Sequence, residues 1–221
     1  MAQFIDTHTH FFDPHRPKGV PWPNRENTDL YRTTLPEHFS SVASIHGVTR
    51  TVVIEASPWI EDNQWILDLA NDPTHNPEQI IAGFIGNLRP QDVHFYEHLD
   101  RFSANPLFRG IRLGSTAIAE IGHAKLIALL REIASRDLTV DLIIAATELS
   151  AIAGICESAP EAHVVIDHVG HVAIDGEKPD QTWYDGMQAL SKMPYVFCKI
   201  SGLVENAIPD PAPTKTDFYR P

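Results

Sequence analysis

The sequence predicts an α/β fold built on a parallel sheet. Seven short β-rich runs alternate with segments of helical pattern along the chain. After a longer first interval, these runs start roughly 25 to 33 residues apart, which is the length of one strand-helix unit with its connections. Several runs are apolar at both odd and even positions, so both faces of these strands are predicted to be buried. This is expected where helices cover one side of a sheet and a packed interior covers the other. A barrel and a doubly wound sheet both satisfy these observations.

Each strand is predicted from a run rich in β-branched and aromatic residues. The runs are residues 2–10, 51–56, 80–85, 108–113, 138–144, 163–168 and 195–200. Helical periodicity follows the second, fourth and fifth of them, in residues 61–72, 123–137 and 147–160.

Two segments lack such a period. Residues 13–38 are rich in proline, asparagine and charge, and we expect a long ordered loop with two aromatic anchors, Trp22 and Tyr31. Residues 204–221 carry four prolines and neither helical nor strand period. They are predicted to be a connection whose next element is missing.

Composition favours one folded domain over residues 1–221, and the tail without a period predicts that this domain is incomplete at its C-terminal end. Hydrophobic residues make up 43% and charged residues 21%, as in globular proteins. The net charge of -12 disfavours nucleic acid and anionic membranes as partners. Cys156 and Cys198 are too few for a disulfide framework, so a cytoplasmic location is expected. Neither a secretory leader nor a membrane span is indicated.

The triplet His8-Thr9-His10 ends the first β-rich run. Because side chains alternate along a strand, the two imidazoles are predicted to point the same way, which suits two ligands on one metal. Two hydrogen-bonded or exposed histidines at a strand end are the equally weighted alternative.

Further polar residues lie at or near the C-terminal ends of the later runs, where parallel α/β folds gather their active sites. They are Glu55, Arg112, Asp141, Asp167, His168 and Lys199. With His168, the pair at His8 and His10 predicts three imidazoles on one divalent metal, for which zinc is favoured. Such a metal activates water or polarises a carbonyl, and that chemistry is hydrolysis. For His168 taken alone, the alternative is a histidine at the end of a strand that donates a hydrogen bond to a backbone carbonyl.

Arg112 and Lys199 are candidates for binding a substrate carboxylate or stabilising an oxyanion. Salt bridges to Glu55 or Asp141 are the alternative, because charges at strand ends inside a barrel must be paired. A structural role is favoured for Asp141. His171 follows a turn at Gly170 and is predicted on the loop above the site.

The pair His94 and His98 has a metal-ligand spacing, but its charged neighbours predict a solvated surface. The sequence contains no G-x-S-x-G elbow, P-loop, G-x-G-x-x-G after the first strand or H-E-x-x-H helix. Serine hydrolysis and nucleotide binding therefore lose support.

Seven motifs of this sequence resemble, in the same order, those of the amidohydrolase-2 family. The resemblance is to a lactonase-like branch of the family, which contains sugar-lactone hydrolases such as L-fuconolactonase and L-rhamnonolactonase. The motifs are IDTHTHFFDP, EASPWIEDNQWILDLA, IAGFIGNL, FRGIRLG, LTVDLII, VVIDHVG and VFCKISGL. The resemblance implies a distorted (β/α)8 TIM barrel. It makes His8 and His10 the metal or substrate pair of strand one, His168 the histidine of strand six, and Lys199 the lysine of a K-[IL]-S-G motif. Metal use varies within this branch.

One departure from the family pattern concerns its eighth strand, which ends in a Gly-Ser-Asp-Trp-Pro-like segment. The aspartate of that segment resembles a general base for water, and no such segment follows strand seven in these 221 residues. We therefore expect a barrel that lacks its eighth strand-helix unit. We also expect this chain by itself to be inactive or nearly so.

These observations predict a hydrolase that opens a small lactone ring, of a sugar acid, with activated water. His168 and Lys199 are the predicted catalytic residues, and Arg112, Glu55 and His171 are the predicted substrate-binding residues. A metal-dependent decarboxylase of the same superfamily is the alternative enzyme. A catalytically inactive remnant or binding protein is the alternative from another class. The expected partner is a small molecule, and the oligomeric state stays open, with a homo-oligomer among the options.

Overall fold

The computed structural model of the protein describes residues 3–208 and 212–219. The chain divides into two compact units, residues 1–112 and residues 113–221. Each of the seven runs predicted as a strand overlaps one, although β2 begins before its predicted run. The strands are β1 Phe4–Thr9, β2 Val48–Ile54, β3 Ile81–Gly86, β4 Phe108–Gly114, β5 Thr139–Ile143, β6 His163–Ile166 and β7 Val196–Cys198. The single-domain organisation stays a prediction.

The first unit pairs its strands in parallel and in chain order, from β1 to β4. Its helices are α1 Pro36–Ala43, α2 Ile60–Ala70 and α3 Phe95–Ser103. Helix α1 begins inside residues 13–38, so the prediction of a loop up to residue 38 is wrong at its end. Pro36 opens this helix, where its missing N–H is not needed and its fixed φ is already helical. A proline therefore starts this helix, although it looked like part of the loop.

Aromatic side chains fill the core of the first unit. The ring of Phe108 in β4 lies 6.1 Å from that of Phe84 in β3 and 6.0 Å from that of Phe102 in α3, measured between centroids. Phe95, Leu99 and Phe102 are all buried, which is the i, i+4, i+7 stripe of an amphipathic helix. Strand β3 is buried on both parities, as a strand covered on both faces requires.

The second unit contains β5, β6 and β7, also parallel and in chain order. Its helices are α4 Ser115–Ile121, α5 His123–Ala134, α6 Leu149–Glu157 and α7 Gln181–Leu190. Helix α5 turns a buried stripe of Leu126, Leu130 and Ile133 towards the core. Strand β7 is shorter than its predicted run, although the amide of Lys199 still donates to the carbonyl of Ile166 at 2.9 Å.

The C-terminal segment is partly outside the described residues, at 209–211 and 220–221. Within the described part, Thr216–Tyr219 form a 3-10 turn, and the Tyr219 hydroxyl donates to the carbonyl of Pro213 at 2.7 Å. This segment was predicted to lack regular structure, and the short turn is the exception. In the part of the chain that the structure describes, we find no helix both long and apolar enough to cross a membrane.

Gly86 ends β3 at a close approach between three elements. A Cβ at this position would lie 2.6 Å from the side-chain oxygen of Asn63 in α2 and 2.6 Å from the ring of Phe108. That oxygen accepts a hydrogen bond from the amide of Asn87 at 2.9 Å. The absence of a side chain at Gly86 therefore lets α2 reach the end of β3.

We expect Gly86→Ala to lower the free energy of unfolding by about 1–3 kcal/mol, because the new methyl group overpacks a buried contact. Gly154→Ala is the matched control. Gly154 lies in α6 with nothing within 4 Å of an added Cβ, so alanine should stabilise that helix by about 0.5–1 kcal/mol. Urea denaturation of both variants measures the difference, and equal stabilities would contradict this account of Gly86.

A surface ion pair gives the first unit a pH-dependent contribution to stability. His75 Nδ1 lies 2.9 Å from Glu37 Oε1, with side chains 41% and 38% exposed. The hydrogen bond to Glu37 is the main cause that raises the pKa of His75 above its ordinary 6.5. Because the pKa of His75 is raised in the folded state, the added stability is complete at pH values below the ordinary pKa of 6.5. It disappears as the pH rises through the folded-state pKa.

We therefore expect Glu37→Gln to lower the free energy of unfolding at about pH 5.5 and to leave it unchanged at about pH 9. The loss at acid pH should stay below about 1 kcal/mol, because both groups are well solvated. Glu78→Gln, at an exposed position of the same region, is the control and should show no such pH dependence. A Glu37→Gln loss of equal size at both pH values would refute this role for the pair.

Candidate functional site

His8 and His10 lie on the same side of the chain at the end of β1. Their ring centroids are 5.1 Å apart, as the alternation of a strand predicts. His10 Nδ1 lies 3.0 Å from the carbonyl oxygen of Ile54, the last residue of β2. A carbonyl only accepts, so Nδ1 carries the proton and Nε2 carries the lone pair. Metal-binding histidines are commonly oriented in this way.

Glu55 and Arg112 form a salt bridge within the first unit. Arg112 Nε donates to Glu55 Oε1 at 2.8 Å, and a terminal nitrogen of the guanidinium donates to the Glu55 carbonyl at 3.0 Å. Asn87 Nδ2 donates to the other carboxylate oxygen of Glu55 at 3.3 Å. The salt bridge between Arg112 and Glu55, predicted as the alternative role of Arg112, is therefore present. Glu55 orients the guanidinium of Arg112.

Asn63 and Asn87 form hydrogen bonds next to the salt bridge between Glu55 and Arg112. The side-chain amide of Asn63 donates to the carbonyls of Ile60 at 2.9 Å and Asn87 at 3.0 Å, and its oxygen accepts from the Asn87 amide. These bonds fix the residue after β3 against the start of α2. Sequence reasoning missed both asparagines, since their partners lie more than 20 residues away and leave no local pattern.

Lys199 is buried between two carboxylates of the second unit. Its Nζ donates to Asp141 Oδ2 of β5 and lies 3.0 Å from Asp167 Oδ1, which directly follows β6. The side chains of Lys199, Asp141 and Asp167 are 8%, 2% and 0% exposed. A buried ammonium persists only with such counter-charges. Lys199 therefore holds both carboxylates in place, and Asp141 has the structural pairing expected of it.

His168 opens a turn of unusual backbone conformation. Residues 168 to 171 have φ values of 52°, 48°, 66° and 49°, in the left-handed region that non-glycine residues rarely adopt. Consecutive strained residues of this kind concentrate at functional sites. The turn brings the rings of His168 and His171 to 5.3 Å between centroids.

The segment after β7 supports His168 directly. Ser201 Oγ lies 2.9 Å from His168 Nδ1, and a Cβ on Gly202, whose φ is +66°, would lie 2.9 Å from the Cβ of His168. The K-I-S-G motif thus has a physical basis, since its lysine pairs with Asp167, its serine contacts the imidazole and its glycine permits the approach. Ser201 was not among the predicted site residues, although its place in this motif was a usable signal.

His171 is oriented like His10. Its Nδ1 lies 3.1 Å from the carbonyl oxygen of Ile144, one residue beyond β5. Nδ1 therefore carries the proton and Nε2 the lone pair. His171 lies on the turn that follows β6, at residues 168–171, and its place above the site stays a prediction.

His94 and His98 are not part of these groups. His94 precedes α3 and its Nδ1 lies 3.1 Å from Glu97, with both side chains well exposed. The pair lies on the solvated surface predicted from its charged neighbours.

The cysteines do not supply a nucleophile at neutral pH. Burial raises the pKa of Cys156 to about 11, and burial is also the main cause that raises the pKa of Cys198. A thiolate is the reactive form, so cysteine-based hydrolysis is disfavoured.

Comparison with known proteins assigns the fold and the family. The family described as Amidohydrolase matches residues 5–220. An L-fucono-1,5-lactonase of Burkholderia ambifaria is 27% identical over 222 residues, covering 99% of this chain and 74% of that protein. An L-fucono-1,5-lactonase of Burkholderia multivorans is 24% identical and covers 92% and 69%. A crystal structure of an amidohydrolase from Burkholderia multivorans with bound zinc has a TM-score of 0.76 at 22% identity, covering 94% of this chain and 72% of that one.

The structural likeness confirms the predicted (β/α)8 TIM-barrel class, with seven of its strands in the described residues. The family match extends over nearly the whole chain. The chain therefore belongs to the amidohydrolase-2 family and is a hydrolase.

Proposed function

We propose that the protein hydrolyses a small lactone, and that the lactone is derived from a sugar acid. The observation that carries hydrolysis is the orientation of His10 and His171. In each, Nδ1–H is bound to a backbone carbonyl, so Nε2 is the nitrogen that bears the lone pair, as in a metal ligand or a general base. The similarity to L-fucono-1,5-lactonases of two Burkholderia species supports the choice of a lactone.

A divalent metal fits this proposal, and zinc is favoured. As the resemblance to the family implies, we assign His8 and His10, at the end of β1, and His168, after β6, as the candidate metal ligands. The Nε2 lone pair of His10 suits such a ligand. When bound, zinc polarises a carbonyl and lowers the pKa of water towards neutrality.

The charged residues are proposed to bind and position the substrate. Arg112, oriented by Glu55, places a fixed positive charge at this strand end, which attracts a substrate carboxylate or a developing oxyanion. Lys199 holds the carboxylate of Asp167, the residue that precedes His168, through an ion pair. We therefore assign Lys199 to the catalytic site. His171 contacts the substrate from the loop above.

In the proposed reaction, water adds to the lactone carbonyl carbon and the ring C–O bond breaks. The ring oxygen takes a proton and leaves as a hydroxyl group, and the product is an open-chain hydroxy acid. That acid ionises at neutral pH and releases one proton for each turnover. A cytoplasmic location is part of the proposal and is supported by two free cysteines.

We expect purified protein to bind zinc stoichiometrically, as measured by elemental analysis and by equilibrium titration. His8→Ala and His168→Ala should each weaken binding at least about tenfold, because each removes one of three nitrogen ligands. His94→Ala is the matched control at a surface histidine and should bind zinc as tightly as the unchanged protein. Stoichiometric zinc that survives both ligand changes would remove this assignment.

The proposed function predicts that L-fucono-1,5-lactone is opened with release of one proton per turnover, measured in a pH-stat. The expectation from the sequence that this chain by itself is nearly inactive predicts instead no proton release above the uncatalysed rate. His168→Ala should slow this reaction at least about a hundredfold, as loss of an acid-base or ligand group does, whereas His94→Ala should not. Carbon dioxide as the product would instead identify the decarboxylase. Equal rates for the His168→Ala variant and the unchanged protein would exclude the assigned role.

A further inference from the structure

Trp22 is a half-exposed aromatic residue beside a candidate active-site histidine. Its side chain is 42% exposed. Its ring centroid lies 5.4 Å from that of His10, at an interplanar angle of 63°, and 5.3 Å from that of Phe12. Both contacts are T-shaped and hold the indole in place, while its 42% exposure leaves part of the residue open to solvent.

The loop that carries Trp22 is closed at its base. Phe12 and Thr34 exchange two backbone hydrogen bonds of 3.0 and 2.9 Å. The hydroxyl of Thr33 donates to Asp13 at 2.8 Å. The two ends of the loop are therefore joined like neighbouring strands.

The body of the loop is anchored to α2 by two cationic side chains. Arg16 donates to both carboxylate oxygens of Asp62 at 3.1 Å, and its guanidinium lies 4.2 Å from the centre of the Trp65 ring. The ammonium of Lys18 lies 4.1 Å above the ring of Trp59. The position of Trp22 is thus set before any ligand arrives, which reduces the entropic cost of binding.

The space beneath the loop is too small for a substrate. A cavity of about 20 Å³ lies among Phe12, Trp22, Trp65 and their neighbours. That volume holds about one water molecule. A ligand of Trp22 must therefore lie against its solvent-facing side.

We infer that Trp22 is a specificity-determining residue on which the C–H face of a pyranose-type lactone ring stacks. This inference rests on the proposed function. A sugar ring has an apolar C–H face and a polar rim of hydroxyls, and the negative face of an indole attracts the C–H face. Because His10 is in edge contact with Trp22, a six-membered ring on the indole also reaches the imidazole.

The first test compares lactone kinetics of Trp22→Ala and Trp22→Phe. Stacking predicts that Trp22→Ala raises KM for L-fucono-1,5-lactone about tenfold with little change in kcat, and that Trp22→Phe restores much of the loss. Tyr96→Ala is the control, since Tyr96 is an exposed aromatic residue of α3. Unchanged KM in Trp22→Ala, or a fall in kcat and thermal stability that Trp22→Phe does not rescue, would overturn the inference.

The second test does not depend on hydrolysis. L-fucose is a pyranose without a lactone carbonyl, and its binding is followed by calorimetry and by indole fluorescence. We expect saturable binding to the unchanged protein and to Tyr96→Ala, and binding about tenfold weaker to Trp22→Ala. Binding that Trp22→Ala leaves intact contradicts the stacking role, whatever the lactonase assay shows. Trp22-dependent binding without lactone hydrolysis supports the stacking role and instead contradicts the proposed function.

Discussion

Parallel pairing is the constraint on which the position of every candidate residue depends. The described strand pairs within each unit are parallel, so the carboxyl ends of neighbouring strands lie at one edge. His10, just after β1, therefore reaches the last carbonyl of β2. Lys199, just after β7, reaches Asp167 just after β6 in the same way. Residues far apart in the sequence come into contact because each directly follows its strand.

The buried ion pairs of Arg112 and Lys199 contribute both to the candidate site and to the stability of the folded units. Arg112 and Lys199 are both largely buried, and each is paired with a carboxylate at the end of another strand of its unit. Removal of one partner from such a pair leaves an uncompensated charge at a cost of about 3–5 kcal/mol. The side chains that orient the candidate site are therefore also part of what holds each unit together. Conservative substitutions separate these two roles better than alanine does.

The elements that sequence reasoning predicted well have strong local signals. The seven β-rich runs each overlap a strand, and charged neighbours correctly placed His94 and His98 on the surface. The start of helix α1 was placed too late because its opening proline resembles the loop before it. Asn87 was missed because its contact with Glu55 is made by a single side chain to a distant residue, and such a contact has no period in the sequence.

The amino-acid sequence by itself determined the strand-helix rhythm, the family and the residue types available at each strand end, because all three are local properties of the chain. The tertiary structure decided which of those residues are partners. It assigned Glu55 to Arg112 and Asp141 to Lys199, and it set the protonated nitrogen of His10 and His171 through backbone carbonyls of other strands. The physical reason is that hydrogen bonds and ion pairs depend on distances of about 3 Å, which only the packed strands fix.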